Sequence, residues 1–314
     1  MFGLGTFTTG AEPFPGLVVH GQVLDLRPAL GAATTTGTLL QSWDTTLVRL
    51  RELAAADGPR IPLAQLRPLP PVQPPGQILC AGANYFRHLQ QIVVSTLRNS
   101  GDPRPDDELR AEAAEQTRRR SEAGRPFLFA GLVSALSGAR DDIVLWGPGV
   151  EHDWELELAV VIGRPAHRVS AADAMEHVAG YTISNDVSTR DVMRGPGPMT
   201  DFVTSKNRPT FFPTGPYLVP REFVPDPRAL RITLSVNGEV MQDESVDDII
   251  YGVEEIVSHA SHLTRLSPGD LILTGSPAGN AGHHGNRWLR PGDLVEAEIT
   301  GLGSQRNRCV AAPA

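Results

Sequence analysis

Asp153-Trp154-Glu155-Leu156-Glu157-Leu158-Ala159-Val160-Val161-Ile162-Gly163 is the stretch on which both the fold and the chemistry turn. From Glu157 to Ile162 it is an aliphatic, partly β-branched run closed by a glycine, which predicts a buried strand. Side chains two apart on a strand share a face. Glu155 and Glu157 therefore point together, while Leu156 and Leu158 point into the other layer. Two carboxylates side by side repel, so something positive must compensate. A divalent cation is one answer. Paired Arg or Lys side chains, or simple solvation of a charged face, are the others.

Working outward, Leu230 to Val236, Asp270 to Thr274 and Leu294 to Ile299 are further strand candidates. Turn signals separate them at Asn237-Gly238, Pro268-Gly269-Asp270 and Pro291-Gly292-Asp293. Asp247 to Leu266 reads as one helix, with Ile249, Ile250, Val253, Ile256, Val257 and Leu263 on one face. Many strands and few helices predict an α+β fold, mostly β, built as a mixed sandwich or roll.

The N-terminal part looks like a small unit. Leu17 to Leu26 reads as two short strands around a turn at His20-Gly21. Leu47 to Ala56 has helical spacing at Leu47, Leu50 and Leu53, and Gly58-Pro59 ends it. Five prolines in the eight residues Pro68 to Pro75 exclude regular helix and favour an extended linker. The boundary is expected there, between a small domain (residues 1–70) and a larger one (residues 71–314). Ile78 to Gly82 follows as a short buried strand. Residues 92–125 differ in character. Asp106-Asp107-Glu108 open the stretch, Arg118-Arg119-Arg120 close it and Gly124 follows, a charge order that suits a helix dipole. A helix polar nearly all round is a surface helix, here a candidate lid.

Composition bounds the function. The chain has 314 residues, 40% hydrophobic and 20% charged, which is ordinary for a globular protein. Thirty-one glycines and 27 prolines point to many turns. A formal net charge of −8 makes nucleic acid an unexpected partner. No apolar run reaches membrane-spanning length, and the N-terminus lacks a signal-peptide pattern. Cys80 and Cys309 fit neither a disulfide scaffold nor a cysteine-rich zinc site. A cytoplasmic protein is the simplest expectation.

Two further segments carry candidate chemistry. In Gly180-Tyr181-Thr182-Ile183-Ser184-Asn185-Asp186-Val187-Ser188-Thr189-Arg190-Asp191, Asp186 ends a strand and supplies a third carboxylate. Three carboxylates plus waters suit a hard ion such as Mg²⁺, Mn²⁺ or Ca²⁺. The competing reading is a helix cap at Asn185-Asp186. In Gly82-Ala83-Asn84-Tyr85-Phe86-Arg87-His88, the histidine follows a buried strand and a glycine turn, where loop residues often act. It is either a general base or a purely structural side chain.

Taken together these residues resemble the fumarylacetoacetate hydrolase family. The resemblance rests on Asn84-Tyr85-x-x-His88, the Asp153–Gly163 block and the Gly180–Asp191 block. It continues in order through Lys206, Pro213-x-Gly215-Pro216, Val236-Asn237-Gly238-Glu239 with Gln242, Pro268 to Gly279, Leu289-x-Pro291-Gly292-Asp293 and Gly301-Leu302-Gly303. It implies a mixed β-sandwich roll, a homodimer, and a divalent ion, Mg²⁺ or Mn²⁺, held by Glu155, Glu157 and Asp186. It implies 2-oxo acid or β-dicarbonyl substrates, with His88 as the base on water and Lys206 neutralising substrate charge. Tyr85, Arg190 and Thr274 are expected at the substrate. For Lys206 the bland alternative is a surface ion pair, and for Thr274 a hydroxyl that stabilises its turn.

The sequence departs from the family pattern twice. Gln91 stands where many members carry a glutamate three residues after the histidine, and glutamine orients water without taking its proton. Glu108, Glu112, Glu115 or Glu122 could substitute for it. Phe127-Leu128-Phe129-Ala130 lacks a lysine that the family often has there, which predicts a more apolar pocket and a less charged substrate. The first reading is a hydrolase that cleaves a C–C bond in an acylpyruvate or β-diketone. The second is a decarboxylase, isomerase or hydratase acting through an enolate. The third is a catalytically silent metal- or ligand-binding scaffold.

Overall fold

The computed structural model describes residues 1–193 and 200–313. The chain forms two layers of mixed sheet with a smaller sheet at its N-terminal end, an α+β arrangement dominated by β structure. The central sheet runs in the order Leu128–Gly131, Ile78–Ala81, Leu271–Leu273, Leu156–Ile162, Val178–Asn185, Phe212–Thr214, Leu136–Gly138. The second runs Glu239–Ser245, Arg231–Val236, Leu294–Ile299, Gly303–Ala311, Ile143–Leu145. Each sheet contains both parallel and antiparallel pairs.

Leu156–Ile162 is covered on both faces, and the alternation expected from its sequence is present. Leu156, Leu158, Val160 and Ile162 join one core with Ile232, Leu234, Ile256 and Ile299. Ala159 and Val161 face the other way, into a core with Leu17, Trp43, Cys80 and Phe212. Glu155 and Glu157 belong to this second face. Its neighbour Val178–Asn185 pairs antiparallel, with Leu156 opposite Asn185 and Glu157 opposite Ser184. One step beyond, the Asp186 amide donates to the Glu155 carbonyl at 2.8 Å. Pairs facing each other across a ladder share a face, so Asp186 is carried to the side of the two glutamates.

The N-terminal sheet has the order Ile61–Pro62, Gln22–Asp25, Phe14–Val19, Gly3–Thr8, Arg67–Pro68. The hairpin at His20-Gly21 is as expected. The strand Gly3–Thr8 was not foreseen, because Gly3, Gly5, Thr6 and Thr8 blur its alternation. Its glycines are required: a Cβ on Gly5 would lie 2.8 Å from the Phe7 ring. The proline stretch is extended but is not a free tether. Arg67–Pro68 pairs with Gly3–Thr8, Thr6 donates to the Pro71 carbonyl at 3.1 Å, and Val72 is buried.

The helix expected over 247–266 is shorter, Val253–Leu263. Residues just before it are taken by long-range pairing: Tyr85 bridges Ile249, and the Ile250 amide donates to the Asn84 carbonyl at 2.8 Å. Gly252 then caps the helix, its amide donating to Glu255 at 2.7 Å. Leu263, expected on the buried face, is exposed. The polar helix is Asp106–Ala123, as its end charges predicted. A second helix, Phe86–Asn99, precedes it and packs against it. His88 therefore sits in the first turn of a helix, not in a loop. The spacing of Leu89, Ile92, Val93 and Leu97 is the helical signal that the glycine turn obscured.

Candidate active site

Three carboxylates converge. One oxygen from each of Glu155, Glu157 and Asp186 lies within 4.8 Å of the others, and all three residues are buried. Lys206 ends a short helix capped by Asp201, whose carboxylate accepts from the Thr204 amide at 2.8 Å. The Lys206 ammonium reaches Glu155 at 2.5 Å and Asp186 at 2.6 Å. Arg190 donates to Asp153 at 2.8 Å and to Glu155 at 2.6 Å. The Gly275 amide donates to Glu157 at 2.6 Å. That turn needs glycine: φ is +98°, and a Cβ would come within 3.0 Å of the Ala81 carbonyl oxygen.

The electrostatics follow from burial and neighbours. Burial pushes Glu155 up, but Arg190 and Lys206 together hold it below the usual carboxylate range. Burial, with Asp186 and Glu155 alongside, raises Glu157 well above that range. Burial raises Asp186 to about 6 against the pull of Lys206. Burial opposes the charge on Lys206, yet Asp186 and Glu155 keep it protonated.

A divalent cation fits this donor set. Fully ionised, Asp153, Glu155, Glu157 and Asp186 would outnumber the two cations, Arg190 and Lys206, by two charges, and Glu157, with no cation of its own, is the carboxylate that burial and its neighbours push up. Asp186 Oδ1 is buried and has no hydrogen-bond partner among the described residues. An orphaned carboxylate oxygen in a buried all-oxygen cluster is what Mg²⁺ or Mn²⁺ would ligate. The helix-cap alternative for Asp186 does not hold, since its carboxylate is directed to Lys206.

The triad opens on a cavity of about 680 Å³ whose wall includes His88, Arg190, Lys206 and Ser276. His88 is buried, its Nδ1 has no partner among the described residues, and burial lowers it to about 4, so its imidazole is neutral near pH 7. Gln91 stands one turn along the same helix, and its Oε1 is likewise buried and unpaired. It does not line the cavity. Neither do Tyr85 and Thr274. Tyr85 is fully buried, and Thr274 donates its hydroxyl to the Leu158 carbonyl at 3.0 Å. The Thr274 hydroxyl is thus used within its own turn, and neither residue is among those that line the cavity.

None of the four glutamates suggested as a replacement for the missing carboxylate reaches the cavity. Glu115 and Glu122 are held by Arg118, and Glu112 accepts from Gln116. Phe127, Phe129 and Phe202 make an aromatic wall, with Phe129 and Phe202 stacked at 4.5 Å between centroids. The pocket is thus apolar on one side, as Phe127-Leu128-Phe129 predicted. It is not poor in positive charge, because Arg120 lines it as well. Arg120, Phe202 and Ser276 escaped the sequence reading as site residues. Ser276 lies in a block quoted for the family resemblance, but nothing local in the sequence brings Arg120 to the cavity.

Residues 77–310 match the fumarylacetoacetate (FAA) hydrolase C-terminal family. The chain belongs to this family. It is 33% identical over 305 residues to the mitochondrial oxaloacetate tautomerase Fahd2a of Rattus norvegicus, covering 95% of this chain and 88% of that one. It is 35% identical over 295 residues to a maleylpyruvate hydrolase of Aquipseudomonas alcaligenes, covering 92% and 93%. The fold superposes on the crystal structure of maleylpyruvate hydrolase from Sphingobium sp. SYK-6, in complex with manganese(II) ion and pyruvate, with a TM-score of 0.76 at 26% identity over the full length of both chains. Among the described residues no helix is long and apolar enough to cross a membrane.

Proposed function

We propose that this family member is a divalent-metal-dependent hydrolase that cleaves the C–C bond between the acyl and methylene carbons of an acylpyruvate or similar β-diketone. The observation that carries the reading is the buried Glu155–Glu157–Asp186 cluster, with its unpartnered Asp186 oxygen, opening on the same cavity as a neutral His88. Mg²⁺ or Mn²⁺ bound there would supply Lewis-acid polarisation of the 2-oxo acid end of the substrate. Neutral His88 accepts a proton from water as the oxygen attacks the acyl carbonyl. The C–C bond then breaks, the pyruvate methylene takes the proton back from His88, and the acyl fragment leaves as a carboxylate. Lys206 holds positive charge beside the developing enolate. Arg190 fixes the orientation of Glu155. The cavity is far larger than a four-carbon 2-oxo acid needs, which favours a substrate with an extended acyl arm.

A second reading has its own observation. Among the described residues His88 has no carboxylate partner to strengthen it as a base on water. Keto–enol tautomerisation needs only proton transfer at carbon, and the rat relative is named for such a reaction. The two readings separate on product. Acylpyruvates would be incubated with Mn²⁺ or Mg²⁺, following enol absorbance and product mass, in wild type and H88A. Pyruvate plus a new carboxylate, lost on chelation and in H88A, supports hydrolysis. An unchanged mass with altered enol content supports tautomerisation.

A further inference from the structure

We propose that Asp153 is a positioning residue for the metal site: by occupying the Nε–Nη2 edge of Arg190, it keeps that guanidinium from taking both oxygens of Glu155, and so leaves Glu155 able to ligate a divalent cation. The inference deepens the proposed function, since it takes Glu155 as a metal ligand.

Arg190 reaches its place through the pairing of His152–Asp153 with Ser188–Thr189, in which Asp153 lies opposite Ser188 and the Arg190 amide donates to the Glu151 carbonyl at 2.9 Å. The guanidinium then meets two carboxylates. Its Nε donates to Asp153 Oδ2 at 2.8 Å, and Nη2 lies at the same distance from that oxygen. Nη2 also donates to Glu155 Oε1 at 2.6 Å. A guanidinium holds a carboxylate most firmly when two parallel N–H groups meet its two oxygens. Here the side edge, Nε with Nη2, is turned to Asp153, and Glu155 receives a single N–H. The other Glu155 oxygen, Oε2, accepts from Lys206 at 2.5 Å instead.

Asp153 is held in this position by groups other than Arg190. It is buried, and its Oδ1 accepts from the Trp154 and Ala281 amides, both at 2.8 Å. That frame is itself tied together. Trp154 Nε1 donates to the Gly279 carbonyl at 3.0 Å, and Asn280 donates to the Trp154 carbonyl at 2.6 Å. A carboxylate braced by the backbone at one oxygen keeps the other fixed on Arg190. Asp153 is not one of the three carboxylates that converge, so it acts on the site through Arg190. Among the described residues Glu155 is the other anion within ion-pair distance of Arg190. With Asp153 neutral, the freed edge of the guanidinium would turn to Glu155, and arginine and cation would compete for one carboxylate.

The test is Mn²⁺ binding, read from the paramagnetic signal of free Mn²⁺, in wild type, D153N, R190Q and D153N/R190Q. Asparagine keeps the oxygen that accepts from Trp154 and Ala281 and replaces only the one that faces Arg190. D153N should bind Mn²⁺ at least about 10-fold more weakly than wild type, the usual weight of a group that orients a metal ligand. D153N/R190Q should bind within about twofold of R190Q, because without the guanidinium nothing competes for Glu155. The resonance line shape of bound Mn²⁺ should change from wild type to D153N and stay the same from R190Q to D153N/R190Q. An equal loss in both backgrounds would show a structural role independent of Arg190 and overturn the proposal, as would wild-type affinity in D153N. Should D153N not fold, D153S and D153S/R190Q give the same comparison, since serine sets no amide N–H against Nε. If wild type itself binds no Mn²⁺, the proposed function fails and this inference falls with it.

Discussion

The Lys206 ammonium lies 2.6 Å from Asp186 Oδ2, while the other oxygen of the same carboxylate, Oδ1, is buried and has no partner among the described residues. One half of Asp186 is thus neutralised from within the chain and the other half is left for an external cation. D186A should therefore lose at least about 10-fold in Mn²⁺ affinity, measured by the paramagnetic signal of free Mn²⁺. In wild type, saturating Mn²⁺ should raise the unfolding midpoint, since a ligand at about 100 times its Kd adds about 2.7 kcal/mol. Equal Mn²⁺ affinity in wild type and D186A would remove the metal assignment.

Removing Lys206 tests the same cluster from the other side. K206M leaves Glu155 and Asp186 without the cation that now holds both, and breaking a buried ion pair costs about 3–5 kcal/mol. The metal-free variant should unfold at lower denaturant than wild type. Mn²⁺ should restore more stability to K206M than it adds to wild type, because the uncompensated charge is larger. An equal Mn²⁺ increment in both proteins would mean that Lys206 and the metal do not share these carboxylates.

Asp186 gives metal binding a pH dependence. Its folded value of about 6 is raised from the ordinary 3.8, so the folded, metal-free protein keeps a proton that an exposed Asp would have lost. Between those values the folded state binds more protons than the unfolded one, and this group's contribution to stability falls as pH rises from about 3.8 to about 6. A cation must displace that proton. Mn²⁺ affinity should therefore fall as pH drops below about 6, with proton release on binding visible by calorimetry in buffers of different ionisation enthalpy.

His88 has the opposite sense. Burial lowers it to about 4 from 6.5, so the unfolded chain binds the extra proton first. The stability that neutral His88 contributes is complete above about pH 6.5 and is lost as pH falls toward 4, by up to about 3 kcal/mol. H88N should flatten the stability–pH curve in that window relative to wild type. Histidine NMR should find the His88 ring still neutral at pH 5.5. A ring that titrates near 6.5 would mean that the imidazole is solvated and not part of the buried wall.

Gln91 sits one helical turn from His88, and both have buried atoms without partners among the described residues. Q91E would place a carboxylate beside the imidazole and raise its basicity. If hydrolysis is limited by water activation, Q91E should raise the ratio of cleavage to tautomerisation by at least about 10-fold, read from product mass. An unchanged ratio would show that proton transfer from water is not what divides the two outcomes.

Much of this was legible because it depends on local periodicity. The two-residue repeat of Asp153–Gly163 put Glu155 and Glu157 on one face, and the end charges of Asp106–Ala123 marked that helix. The third carboxylate needed strand register, which the family resemblance supplied and the sequence alone did not. The features that were missed depend on partners distant in sequence. Residues 249–251 leave the expected helix because Asn84 and Tyr85 pair with them, and Thr274 turns its hydroxyl to Leu158. Arg120 reaches the cavity only because one helix packs on another and Tyr251 fixes its carbonyl.

The most direct measurement is turnover of an acylpyruvate by the Mn²⁺-loaded protein in ¹⁸O-labelled water, with products analysed by mass. Hydrolysis assisted by His88 predicts pyruvate and a carboxylate that carries one ¹⁸O from solvent, and loss of both products in H88A and on chelation. Consumption of the enol form with the carbon skeleton intact, or cleavage that survives in H88A, would contradict it.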